Sequence, residues 1–95
     1  MQTKVHSIHF KADHKLLSFV QERLNKLELY NDKLIKSEVF LKLDKSRDRE
    51  NKISEIKLLV PGKELFAKKQ CKTFEEAVDV TVEALRKQIL KEKRK

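Results

Sequence analysis

A chain of 95 residues, 39% apolar and 40% charged, has room for one hydrophobic core and reads as a single domain over 1–95. One Gly and one Pro leave no glycine-rich phosphate loop, and no stretch approaches the length of a membrane span. Met1 to Phe10 lacks the apolar run of a signal peptide, and the lone Cys71 cannot close an internal disulfide, so the expected setting is the cytoplasm. The formal charge of +8 suggests a polyanionic partner; the plainer alternative is solubility, and the placement of the cations must decide.

Met1 to Phe10 alternates, with Val5, Ser7 and His9 on one face and His6, Ile8 and Phe10 on the other. This predicts a first strand whose Ile8/Phe10 face turns inward. Asp13 supplies an N-cap for a helix over roughly 14–30, with Leu16, Leu17, Val20, Leu24 and Leu27 as its apolar stripe. Asn31-Asp32-Lys33 ends it. Val39, Leu41 and Leu43 alternate with Glu38, Phe40, Lys42 and Asp44, as a half-buried second strand does, and "KSRDREN" (45–51) reads as a charged hairpin loop. A third strand presents Ile56, Leu58 and Val60 on one face. Pro61-Gly62 is the strongest turn signal in the chain, and a fourth strand over 64–71 points Leu65, Ala67 and Cys71 inward. Lys69 shares their parity, which predicts an edge strand or a bulge.

Thr73-Phe74-Glu75-Glu76 has the form of a capping box: a hydroxyl for the backbone N–H of Glu76, and a carboxylate to reach back. From it runs a helix with stripe Ala77, Val78, Thr81, Val82, Leu85 and Ile89, and neither Gly nor Pro interrupts it through Lys95. The order β-α-β-β-β-α is an α+β fold: a four-stranded mixed sheet with two helices packed on one face, where each can bury its stripe.

The chain closes on "ALRKQILKEKRK" (84–95). At 100° per residue Lys87, Lys91 and Arg94 project away from the stripe while Arg86 and Lys93 flank it, giving a cationic ridge, rigid near Arg86 and fraying after Lys91. Dipole matching alone would explain one or two cations in a last turn, with Glu75, Glu76, Asp79 and Glu83 placed early. The first helix, however, adds Lys15, Arg23 and Lys26 along one side, with the Arg23 stem packed and its guanidinium outward. Two helices on one sheet face bring these cations onto one surface, and polyanion binding is a stronger reading than a solvated face.

Other constellations carry less. His6, His9 and His14 have no converging ligands for a metal; strand-surface and helix-start roles suit them better. Cys71 stands near Lys68, Lys69 and Lys72, which could lower its pKa, but a buried strand thiol is the simpler reading. Asp48 and Glu50 sit in a charged loop without a histidine. No nucleophile elbow or dinucleotide fingerprint occurs, so neither an enzyme nor a cofactor is expected. Phe40, Leu59 and Phe66 fall on the sheet face opposite the helices, as a base-stacking platform or, the preferred reading, as a cross-strand apolar cluster.

Two stretches resemble a known family. Ala77-Val78-Asp79 followed by "ALRKQILKEK" (84–93) is similar to the second-helix pattern of the bacterial ribosome hibernation-promoting factors, an A-I-D run and then K-L-x-R-Q-L-x-K-x-K. "RLNKLELYND" (23–32) resembles their first-helix pattern, R/K-x-x-K-L-E-x-Y/W. The likeness covers nearly the whole chain and includes the ribosome-associated inhibitors. It implies a stationary-phase stress factor that plugs the decoding channel of the small ribosomal subunit, overlapping the mRNA and tRNA positions, with basic helix residues on rRNA phosphates. Carried over by position, those residues are Arg23, Lys26, Lys87, Lys91 and Lys93. Ala84 stands where the family has Lys, with Arg86 as its substitute. Ending at Lys95, the chain resembles the short form, without the dimerising domain of longer members, and is expected to be a monomer. Two alternatives stay open: a general double-stranded RNA or DNA binder, and a protein-interaction module, since the family is also associated with modulating an alternative sigma factor.

Overall fold

The apolar periods sort the chain into strands at spacing two and helices at spacing three and four. The computed structural model describes residues 1–45 and 49–93. Its elements are β1 (Gln2–Ile8), α1 (His14–Asn25), a 3-10 turn (Lys26–Leu29), β2 (Lys36–Leu43), β3 (Lys52–Val60), β4 (Lys63–Cys71) and α2 (Phe74–Lys93). The sheet order is β1-β2-β3-β4; β1 pairs parallel with β2, and the other two pairings are antiparallel. This is the expected α+β order. The parallel pair follows from α1, which carries the chain back across the sheet before β2 begins.

Both helices bury their stripes in one core. Val39, Leu41, Ile56 and Leu58 from the central strands are closed off by Val20 and Leu24 of α1 and by Val78, Leu85 and Ile89 of α2. α2 lies on β3 and β4 and touches α1 along its flank. The ends are capped as their residues suggest. Asp13 Oδ1 accepts the N–H of Leu16 at 2.8 Å, and Thr73 Oγ1 accepts that of Glu76 at 3.1 Å. Gly62 takes φ 76°, the left-handed value that the turn between β3 and β4 needs after Pro61.

Three expectations are adjusted. The inward face of β1 is Val5, which pairs with Val39 and packs against the core, whereas His6 and Ile8 lie on the helix-free side. Phe10 does reach the core, but past the end of the strand: His9 at φ 68° breaks the alternation and swings the Phe10 ring onto Phe74, with centroids 4.3 Å apart. The first helix tightens to 3-10 geometry at Lys26, which keeps Leu27 buried while the chain turns toward β2. Leu17 stays 38% exposed, because α2 packs on the opposite flank of α1. Of the two readings of Lys69 the edge strand holds: β4 is at the edge in unbroken register, and Lys69 reaches solvent without a bulge. The hairpin between β2 and β3 closes through Asp44 N–H to Asn51 O at 2.8 Å; residues 46–48, including Asp48, lie outside the described residues.

Candidate nucleic-acid interface

The six cations of interest fall into two groups once the helices are packed. Arg23, Lys26 and Arg86 line one groove between α1 and α2, with Leu27 and Val82 at its floor and Tyr30, Asp79 and Glu83 along its sides. Their convergence follows from the core. Val20 and Leu24 point into the sheet, which leaves Arg23 and Lys26 on the flank facing α2; Leu85 and Ile89 do the same for Arg86.

Each arginine in the groove is held from two sides. Arg23 donates from Nε to Asp79 Oδ1 at 2.6 Å and lies over the Phe19 ring at 4.4 Å from its centroid. Arg86 donates from Nε to Glu83 Oε2 at 2.9 Å, makes a second bond to the other carboxylate oxygen, and lies 5.7 Å from the Tyr30 centroid. The fork geometry matches guanidinium to carboxylate, and the rings accept the cation's face. The Arg86 hydrogen bonds hold the Glu83 carboxyl below the usual carboxylate range, and the same contact raises Arg86 still further, so both stay charged at neutral pH. Such pairs are solvent-screened and add little to stability. Their effect is on position.

The lysines behave otherwise. Lys26, Lys87, Lys91 and Lys93 form no ion pair among the described residues; Lys87 and Lys91 are exposed on the outer side of α2, and Lys93 is exposed on the flank of its apolar stripe. Lys93 borders a hollow at the Pro61 end of the sheet, together with Asn31, Lys33, Lys63 and Glu92. Lys63 pairs there with Glu92. Arg94 is outside the described residues. Lys15 is exposed on α1.

Sequence reasoning found the cations and missed what holds them. Asp79 entered only as part of a motif and as a dipole partner, Glu83 only as a dipole partner, Tyr30 only as a motif position, and Phe19 not at all. Lys33 and Lys63 also escaped notice, because they join Lys93 only through the turn geometry. The remaining candidates take structural places. His6 bonds Glu38 at 2.9 Å, and this contact lowers the Glu38 pKa. Cys71 is half-buried, and burial pushes its thiol up, away from thiolate chemistry.

A family model described as "Sigma 54 modulation protein / S30EA ribosomal protein" matches residues 3–95. The chain belongs to this family. Within it, the ribosome hibernation promoting factor of Pseudomonas putida is 27% identical over 95 residues, covering 100% of this chain and 89% of that protein. The resemblance carried by the two helix motifs therefore holds. Among solved structures, a ribosomal subunit interface protein from Coxiella burnetii superposes with a TM-score of 0.88 at 17% identity over 100% of both chains. The N-terminal domain of Thermus thermophilus Protein Y gives 0.74 at 19% identity, over 90% of this chain and 94% of that one. At such identities the likeness is one of fold. No helix among the described residues is long and apolar enough to cross a membrane.

Proposed function

We propose that this protein is a non-enzymatic ribosome hibernation factor, a single cytoplasmic domain that binds the small ribosomal subunit in its decoding region and blocks mRNA and tRNA. The observation that carries the reading is the helical surface itself: Arg23 and Arg86 fixed in a groove, and Lys87, Lys91 and Lys93 exposed beside it on an uninterrupted helix. A fixed cation fork suits bidentate phosphate contact, and a row of exposed lysines suits a phosphate track. Membership of the family, and the name of the Pseudomonas putida relative, direct that chemistry to the ribosome.

Such binding is dominated by phosphates and tolerant of sequence. If about five phosphates are neutralised, log affinity falls with log salt at a slope of a few units. The direct test is sedimentation of the purified protein with isolated small subunits, with and without tRNA already bound. Co-migration that pre-bound tRNA prevents, together with inhibition of cell-free translation, is the expected result. Co-migration indifferent to tRNA would move the binding place elsewhere. Equal competition by naked duplex RNA would leave a general double-strand binder, and absence of any ribosome association would favour the protein-interaction module.

A further inference from the structure

The helices cover only one side of the sheet. On the other, the register sets Lys4, Glu38, Lys57 and Phe66 in one row across the strands, and His6, Phe40, Glu55 and Lys68 in the next. Gln2, Lys36, Leu59 and Glu64 form the row on one side of these, and Ile8, Lys42, Ile53 and Gln70 the row on the other. We propose that this helix-free face, centred on Phe66 and the His6–Phe40 stack, is a second contact surface that takes unpaired RNA bases. The proposal rests on the reading that the protein works on RNA, and adds a site on the side away from the helical cations.

Three observations carry it. First, the aromatic residues do not close into one cluster. Phe40 stacks on His6 with centroids 4.8 Å apart and planes 13° apart, while Phe66 sits two strands away, opposite Lys57, and remains 46% exposed. Strand spacing and rise put the two rings about 12 Å from each other, so Phe66 lies apart from the His6–Phe40 stack. An exposed Phe beside the lysines and glutamates of this face has a cost in water that a base stacked on it removes.

Second, the carboxylates of this face are mostly engaged by neighbours. Glu38 bonds His6, and Glu55 takes Lys42 at 2.7 Å and Lys68 at 3.7 Å. Glu64, at the end of β4, is the one carboxylate here that forms no ion pair among the described residues. Against it stand Lys4, Lys36 and Lys57, which also form none, and Lys57 holds its ammonium 5.8 Å from the Phe40 centroid. The face therefore carries five lysines against three glutamates, with the outward cations around the rings. Third, this pairing of stacking surface with scattered cations is the chemistry of single-strand recognition: π faces for bases, ammonium groups for the backbone between them. A double helix hides its base faces and gives Phe66 nothing to stack on.

The experiment measures binding of a fluorescent oligouridylate about a dozen nucleotides long, within the range one such platform covers. Phe66→Ala and Phe66→Leu are compared with wild type and with Phe66→Trp; the Leu variant keeps apolar area but removes the ring. Loss of one stacked base weakens binding by about fivefold to a hundredfold for Ala and Leu, and Trp restores it. The same Phe66→Ala ratio is expected in a background carrying Lys87, Lys91 and Lys93→Glu, because the two surfaces are on opposite sides. That background also separates the two readings: it abolishes small-subunit sedimentation if the helical surface binds there, whatever the oligouridylate does. Wild-type affinity in both Phe66→Ala and Phe66→Leu would overturn the proposal. A ratio that vanishes in the triple background would overturn it too, placing the oligonucleotide on the helices. Equal binding of polyglutamate, lost in the same Phe66 variants, would assign the face to an acidic protein instead.

Discussion

Arg23 and Arg86 carry the same charge as the lysines at the end of α2 but are placed by different means. The arginines sit where two helices meet, each between a carboxylate and an aromatic ring. Their positions depend on tertiary packing, and they lose little further freedom on meeting a ligand. Lys87, Lys91 and Lys93 are placed by helical register alone; α2 directs Lys87 and Lys91 outward and Lys93 along the flank of its stripe, and leaves the ammonium groups to water. One region contributes fixed geometry, the other number of charges. A phosphate surface responds to both, and substitutions can tell them apart.

The largest effect belongs to the lysines. Changing Lys87, Lys91 and Lys93 together to Glu turns three attractions into repulsions and should abolish pelleting with small subunits. The fold should lose only about 0.3–1 kcal/mol per site, from anions near a helix C-terminus. Circular dichroism melting reads the second quantity. A well-folded triple variant that still pellets would reduce the ridge to a solvated helix end.

Next comes the packing beneath both regions. Leu85 is fully buried between them, and Leu85→Ala should cost about 2–5 kcal/mol in denaturant titrations. Because the groove depends on the position of α2 and the ridge on its register alone, the surviving folded fraction should keep its lysine-driven salt dependence. A loss under about half a kcal/mol would mean that α2 is not anchored there.

Asp79→Asn sharpens the comparison by its sign. It frees Arg23 and makes the protein one charge more positive. Counting charge alone, affinity for the small subunit rises; if geometry matters in the groove, it falls a few-fold. We expect the fall, with a stability change within about 1 kcal/mol, since the pair is solvent-exposed. Titration at two salt concentrations distinguishes the outcomes.

The smallest effect is on pH dependence. Glu83, held by Arg86, and Glu38, held by His6, both have folded pKa values below the ordinary carboxylate value. Their contribution to stability is therefore complete above the unfolded pKa and is lost as pH falls through the lower folded one. Glu83→Gln and Glu38→Gln should differ from wild type at neutral pH and converge with it in acid, once pH has fallen through the lowered folded pKa. A difference that persists in acid would show that something other than the ionised carboxylate makes the contact.

Much of this molecule is legible in the chain. The cap residues Asp13 and Thr73, the turn at Pro61-Gly62 and the stripes ending at Leu27 and Ile89 are local signals, and each is found where it points. The β1 face was misjudged for an equally local reason. Ile8 and Phe10 outnumber Val5 on a ten-residue alternation, and nothing in the letters reveals that His9 adopts a left-handed conformation between them.

The sequence by itself determined the order of elements, the faces of β2 to β4 and both helices, and the sign and rough location of the cationic surface. These follow from period, capping and charge, which are properties of neighbours along the chain. Only the tertiary structure set Arg23 against Asp79 and brought the Tyr30 ring to Arg86. Asp79 is 56 residues from Arg23, and their bond exists because two apolar stripes share one sheet face. The same packing leaves the other face of the sheet open, with Phe66 exposed on it. Contacts of that range depend on how buried surfaces fit together, and no local pattern encodes the fit.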